Sequence, residues 1–129
     1  MKEFDDFSYY LSLLLETDSE DAFRYLIEMP EKEELTKKIS SLYVESNDEG
    51  SKTVALEILR EIRCELSNHE IENIARHSND RNEWRRAVEA RIYSDVSGAS
   101  NFLQEEGIRF KMEKNIPMEK LCNEIINDL

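Results

Sequence analysis

Glycine and proline are scarce in this 129-residue chain: three glycines and two prolines leave little material for hairpin turns. Cysteine is equally sparse. Cys64 and Cys122 are the only two, too few for the disulfide framework of a small secreted domain. Each falls inside a predicted helix near apolar residues, and both read as reduced, buried thiols of a cytoplasmic protein. Long apolar runs are missing as well. The stretch Phe7 to Leu15 is far shorter than the roughly twenty residues of a membrane span. Asp5 and Asp6 precede it where a signal peptide carries positive charge, and no small-residue cleavage site follows. It reads as an amphipathic first helix, and no membrane contact is expected.

The signatures of catalysis are absent too. There is no Gly-rich phosphate loop, no CxxC pair and no nucleophile elbow. His69 and His77 are eight positions apart, about 80° apart around a helix of 3.6 residues per turn, so they do not share a metal without help from another element. They read as surface histidines. The acid pairs Asp5/Asp6, Glu20/Asp21 and Glu33/Glu34 point about 100° apart as helix neighbours, which suits helix dipoles and solvation better than two-metal chemistry. No enzyme activity, metal or other cofactor is expected.

Basic residues are outnumbered: 17 Lys and Arg stand against 29 Asp and Glu, a net charge of −12. Residues 1–50 hold 14 acids and 5 bases, and residues 51–129 hold 15 and 12, so most of the excess lies near the start of the chain. Such a field repels phosphate backbones, which disfavours direct nucleic-acid binding, and it steers a basic partner inward. The plainer use of such a surface is solvation.

What the chain does have is helical periodicity. Forty per cent of its residues are apolar, enough for a core, and one domain of residues 1–129 is the economical organisation. Ser46-Asn47-Asp48 and Ser78-Asn79-Asp80 each introduce an amphipathic stretch, carrying Val54, Ile58 and Ile62 in one case and Trp84, Val88 and Ile92 in the other. A looser copy begins at Asp18-Ser19-Glu20, with Phe23 and Ile27. Units recurring at about thirty residues are the pattern of stacked helical hairpins. The expected fold is all-α, a short α-solenoid of antiparallel hairpins, with an irregular helical bundle as the alternative.

The elements follow from stripes and caps. Helix one covers Glu3 to Glu16, with Phe4, Phe7, Leu11 and Leu14 on one side. Asp18 or Ser19 caps helix two, which stops before Pro30. Pro30 suits the first turn of helix three, whose stripe is Leu35, Ile39 and Leu42. After a loop at Glu45 to Gly50, Ser51 caps helix four, with Val54, Ile58, Leu59, Ile62 and Leu66. Ser67 or Asn68 caps a short helix five containing Ile71, Ile74 and Ala75. Helix six runs from Glu83 to Tyr93 after a loop at Ser78 to Asn82. Helix seven runs from Val96 to Glu106, closed by a left-handed Gly107. Residues 108–115 fit a continued helix or an extended connector, and the last helix starts near Pro117. Arg81, Arg85, Arg86 and Arg91 read as partners of Glu83, Glu89 and acids of a neighbouring hairpin rather than as a phosphate site.

The stretch from Asn79 to Ile92 resembles the first helix of a HEAT-type repeat, in which a turn Asp or Asn precedes an apolar-Arg pair and further apolar residues one and two turns on. Trp84-Arg85, Val88 and Ile92 fit that pattern. The period here is shorter than the roughly forty residues of HEAT units, and the earlier copies lack the apolar-Arg pair. In its small size, acidity and helicity the chain also resembles the immunity proteins that bacteria pair with secreted toxins, including those of contact-dependent growth inhibition. That resemblance implies an acidic surface docked on the basic substrate groove of a nuclease toxin.

If helices one, three and five line one surface, the positions opposite their buried stripes form it. These are Asp5, Tyr9, Ser12 and Glu16; Glu34, Lys38, Ser41 and Glu45; and Glu72, Asn73 and Arg76. Asp6 and Tyr10 adjoin the first set, and Tyr9 and Tyr10 are aromatics of the kind enriched at interfaces. The expected function is binding and neutralising a protein partner, with a helical-repeat adaptor as the alternative. With no exposed heptad seam, the free chain is expected to be a monomer.

Overall fold

A computed structural model describes residues 2–129 of the chain, and side chains from residue 6 onward. The described residues form eight α-helices and no strand: α1 Lys2–Thr17, α2 Glu20–Ile27, α3 Lys32–Glu45, α4 Glu49–Ile62, α5 Glu65–Arg76, α6 Arg81–Ser94, α7 Val96–Met112 and α8 Ile116–Asp128. The fold is all-α, and no described helix is long and apolar enough to cross a membrane. The chain falls into two compact units, 1–67 and 68–129, divided inside α5.

In the first unit consecutive helices pair, α1 with α2 and α3 with α4. Helix α4 also meets α1 and α2 because it is apolar on more than one side: Ala55, Leu56, Ile58, Leu59 and Ile62 are all buried. Phe7 and Leu14 of α1, Ala22 and Leu26 of α2, and Leu35 and Ile39 of α3 complete this core. In the second unit α7 packs against both α6 and α8. Trp84, Val88, Phe102, Leu103, Phe110, Leu121 and Cys122 are buried there, and the Trp84 and Phe110 rings meet edge to face at 5.5 Å.

The helix boundaries show which groups win the competition for exposed backbone N–H groups. Ser19, not Asp18, caps α2, its hydroxyl accepting from Ala22 N at 3.2 Å; Asp18 takes the left-handed position (φ 54°) that ends α1. Pro30 lies outside α3, which starts at Lys32 behind Glu31; the carbonyl of Pro30 accepts from Lys32 N. Ser51 does not cap α4. Asp48 does, accepting from Gly50 N at 3.3 Å, Ser51 N at 3.1 Å and Ser51 Oγ at 2.9 Å, because a carboxylate outcompetes a hydroxyl at the positive end of a helix. The hydrogen bonds from the Ser51 hydroxyl and backbone, then from Gly50 N, hold the Asp48 pKa below its ordinary value. Asp80 likewise caps α6 through Asn82 N at 2.8 Å, which starts that helix at Arg81 rather than Glu83.

Two boundaries fall elsewhere than expected. Arg63 adopts a left-handed conformation (φ 54°) and ends α4, so Leu66 belongs to α5 and Cys64 stands between helices instead of inside one. Neither Ser67 nor Asn68 is the cap of α5. Ser67 N–H donates to Cys64 Sγ at 3.4 Å while Ser67 Oγ accepts from Cys64 N–H at 3.0 Å. This is a reciprocal capping box with a thiol in the capping place. Gly107 does not close α7, which continues to Met112 and so makes the first half of 108–115 helical. The left-handed residue is Lys114 (φ 58°). Asn115 N bonds Phe110 O at 2.9 Å and Lys114 N bonds Lys111 O at 3.1 Å, the two bonds of a Schellman turn. Asn115 Oδ1 then caps α8 through Met118 N.

Candidate functional site

The first unit carries the acidity. It holds 17 acids and 8 Lys or Arg, net −9, against 12 and 9, net −3, in the second. On α1, Tyr9 is 62% exposed, with Ser12 and Glu16 also at the surface. The backbone of Asp5 lies in α1, but its side chain, like that of Phe4, is outside the described residues. Tyr10 and Asp6 are half-buried, and Tyr25 of α2 explains why. Its ring stacks on Tyr10 with centroids 3.9 Å apart, and its hydroxyl donates to Asp6 Oδ2 at 3.3 Å. Tyr9 meets Tyr10 edge-on at 5.1 Å. Three tyrosines therefore form a continuous aromatic ladder whose inner members are held by α2 and whose outer ring is bare.

On α3, Glu34, Ser41 and Glu45 are exposed, and Glu34 lies 3.7 Å from Lys37. Lys38 is half-buried with its ammonium 5.6 Å from the centroid of the Phe7 ring, which brings that part of α3 against α1. Glu16 and Glu45 make no ion pair among the described residues. The first two expected sets thus lie in one unit. The same unit has an open cleft of about 520 Å³, to which Leu14, Phe23 and Ile27 contribute apolar surface and Asp18, Glu20 and Glu57 carboxylates, with Arg24 and Arg60 also lining it.

The third set is in the second unit and is engaged there. Glu72 Oε2 accepts from Arg91 Nε at 2.8 Å, where the Arg91 side chain is 7% exposed. Glu72 Oε1 and Asn73 Oδ1 accept from Arg76 at 3.2 and 3.3 Å, and the Arg76 guanidinium covers the Phe102 ring at 5.0 Å. These groups join α5 to α6 and α7. A second buried network joins α6 to α7: Glu106 accepts from Trp84 Nε1 at 3.0 Å and from Arg109 Nη2 and Nε at 2.8 Å each. Glu106 raises the Arg109 pKa, against a smaller opposing effect of burial. Arg85 pairs with Glu89 at 3.3 Å, so both it and Arg91 have the intramolecular partners expected of them.

The thiols differ. Burial works against ionisation of Cys64, but hydrogen bonds from Ser67, Thr36 and Leu66 together outweigh it and lower the pKa. Burial first, then the Glu106 charge, pushes Cys122 up to about 11; its Sγ donates to Leu103 O at 3.0 Å. His69 and His77 are exposed, as expected. Among the described residues no group of three or more His, Cys, Asp or Glu is arranged to hold a metal.

The site residue that sequence reasoning missed is Tyr25. Its signal was an aromatic off the buried stripe of α2, one position before the fully buried Leu26. The first unit thus presents acids and one exposed aromatic ring, Tyr9, on its described surface. No protein-family model, characterised protein or solved structure matches this chain.

Proposed function

We propose that this protein binds and neutralises a protein partner, most concretely as an immunity protein that covers the active site of a cognate bacterial toxin of basic, nuclease type. The observation that carries the reading is the coincidence, in residues 1–67, of a net charge of −9 with an exposed aromatic ring, Tyr9, backed by Tyr10 and Tyr25. Acids such as Glu16, Glu34 and Glu45 act at long range and accelerate encounter with a basic surface. Tyr9 acts after encounter. Its ring offers a large contact at little cost in conformational freedom, so it governs how long the complex lasts. The function needs no cofactor and no catalysis, and on this reading it is exercised in the cytoplasm.

The test is a growth assay with the neighbouring open reading frame of the source genome. Its C-terminal part is induced with and without this chain. Arrest that this chain alone relieves is the expected result, and the arrest phenotype then indicates the toxin's target. With the complex in hand, Lys at Asp6, Glu16, Glu34 and Glu45 together should slow association and flatten its salt dependence, whereas Tyr9→Ala should mainly speed dissociation. Toxicity that this chain does not relieve, or binding untouched by the four reversals, refutes the reading and leaves the helical adaptor in its place.

A further inference from the structure

Three large apolar side chains of the second unit stand almost bare: Ile108 is 62%, Met112 79% and Ile116 72% exposed. Ile108 and Met112 are one turn apart and share a face of α7; Ile116 opens α8 just beyond the turn. Beside Ile108 a shallow, largely apolar groove of about 290 Å³ runs between α7 and α8, with Gly107 and Lys111 on one wall and Glu119 and Ile126 on the other. Exposed apolar surface beside an apolar groove is the kind of place where a partner docks.

Charge selects the occupant. Lys111 and Glu119 line opposite walls of the groove, and neither has an ion-pair partner among the described residues. A surface with one unpaired cation and one unpaired anion across an apolar groove is complementary to itself. In a twofold contact each residue meets the other's counterpart, so the pair forms twice. The second unit, at net −3, is also the part of the chain on which two copies repel least. We propose that this chain forms a twofold-symmetric dimer through the α7–α8 groove, with Ile108 and Met112 as the apolar contact and Lys111–Glu119 pairs across it. A heptad search does not register such a patch, because its residues come from two helices and a turn. The proposal is independent of the immunity reading, which rests on the first unit.

Sedimentation velocity on the full chain, from low micromolar to near-millimolar concentration, tests it. The expected mass is twice the 15.2 kDa of one chain, falling to one on dilution. The double variant Ile108→Asp/Met112→Asp should be monomeric throughout with an unchanged far-UV circular dichroism spectrum, since both residues are exposed. Lys111→Glu should weaken the dimer at least tenfold, and adding Glu119→Lys to it should restore the association. That rescue separates a twofold pairing from general stickiness. The proposal is overturned by a monomer at the highest concentration, by a dimer indifferent to these substitutions, or by a mass that keeps growing with concentration. A chain that stays monomeric but takes up phosphatidylglycerol vesicles through Ile108 and Met112 overturns it in favour of a lipid surface.

Discussion

Glu106 offers the sharpest test of how the second unit is held together. Its carboxylate receives three hydrogen bonds, one from the buried Trp84 indole and two from Arg109. Glu106→Ala leaves the Trp84 N–H without an acceptor where water does not reach, which costs about 1–3 kcal/mol. Arg109 suffers less. Its side chain is 30% exposed and retains Glu113 at 3.3 Å, so its loss is about 1 kcal/mol after solvent screening. The total is roughly 2–4 kcal/mol, a large part of the 5–15 kcal/mol typical of a small domain. Glu106→Gln keeps a carbonyl oxygen for Trp84 but turns an amide N–H toward a guanidinium, and should cost about 1–2 kcal/mol. Urea unfolding followed by fluorescence of Trp84, the chain's one tryptophan, reports the change where it occurs. Adding Trp84→Phe to Glu106→Ala removes the orphaned donor, so a double-mutant cycle read by circular dichroism should show about 1–2 kcal/mol of coupling. An alanine variant within about 0.5 kcal/mol of the parent, inside the range of ordinary surface changes, refutes the argument. Equal losses for Gln and Ala refute the part assigned to the indole.

Glu72→Ala should cost about 1–3 kcal/mol in the same assay, because it removes the acceptor of the buried Arg91 Nε and leaves that guanidinium to Asp95, at 3.9 Å to its carboxylate and 3.3 Å to its carbonyl. A loss below about 1 kcal/mol, the ordinary worth of an exposed pair, would show the pair to be solvated. Lys114→Gly should stabilise by about 0.5–1 kcal/mol, relief of a left-handed non-glycine residue exceeding the added entropy cost of glycine; thermal melting reads the sign directly. The Asp48 pKa is lowered in the folded chain, so its cap contributes stability that is fully present above the ordinary aspartate value and lost as the pH falls through the lowered one. An NMR titration with its midpoint at or above that ordinary value contradicts the cap. Cys64, half-exposed with its pKa lowered, should react with iodoacetamide well before Cys122, which is buried and titrates near 11; mass spectrometry of the alkylated native protein gives the order.

Helix identity was legible because it rests on local periodicity. The spacing of Ile58 and Ile62, or of Trp84 and Val88, buries one side of a helix whatever it packs against, and these residues are buried as expected. Boundaries were less legible because several groups compete for each free N–H. Asp48 and Ser51 both had the right chemistry, and only their geometry decides between them. Gly107 was a natural helix stop by composition. Phe110, buried against Trp84, lets α7 continue past it until Lys114 accepts the left-handed place at some conformational cost.

The acids show why a surface is harder to read than a core. Glu16, Glu45, Glu72 and Glu106 are one residue type on helices of similar composition, yet the first two face solvent and the last two are engaged inside the second unit. What separates them is whether a donor from another helix comes within reach: for Glu72 it is Arg91, 19 positions away, and for Glu106 the Trp84 indole, 22 positions away. Net charge registers all four alike. Helical spacing cannot separate them either, since it reports which face a residue occupies and not what lies opposite. The discriminating observation is therefore tertiary: Glu72 meets Arg91 and Glu106 meets the Trp84 indole, each a donor from another helix, and both acids stabilise the fold. An acid on a bare face, such as Glu16 two turns from Tyr9, remains available to a partner.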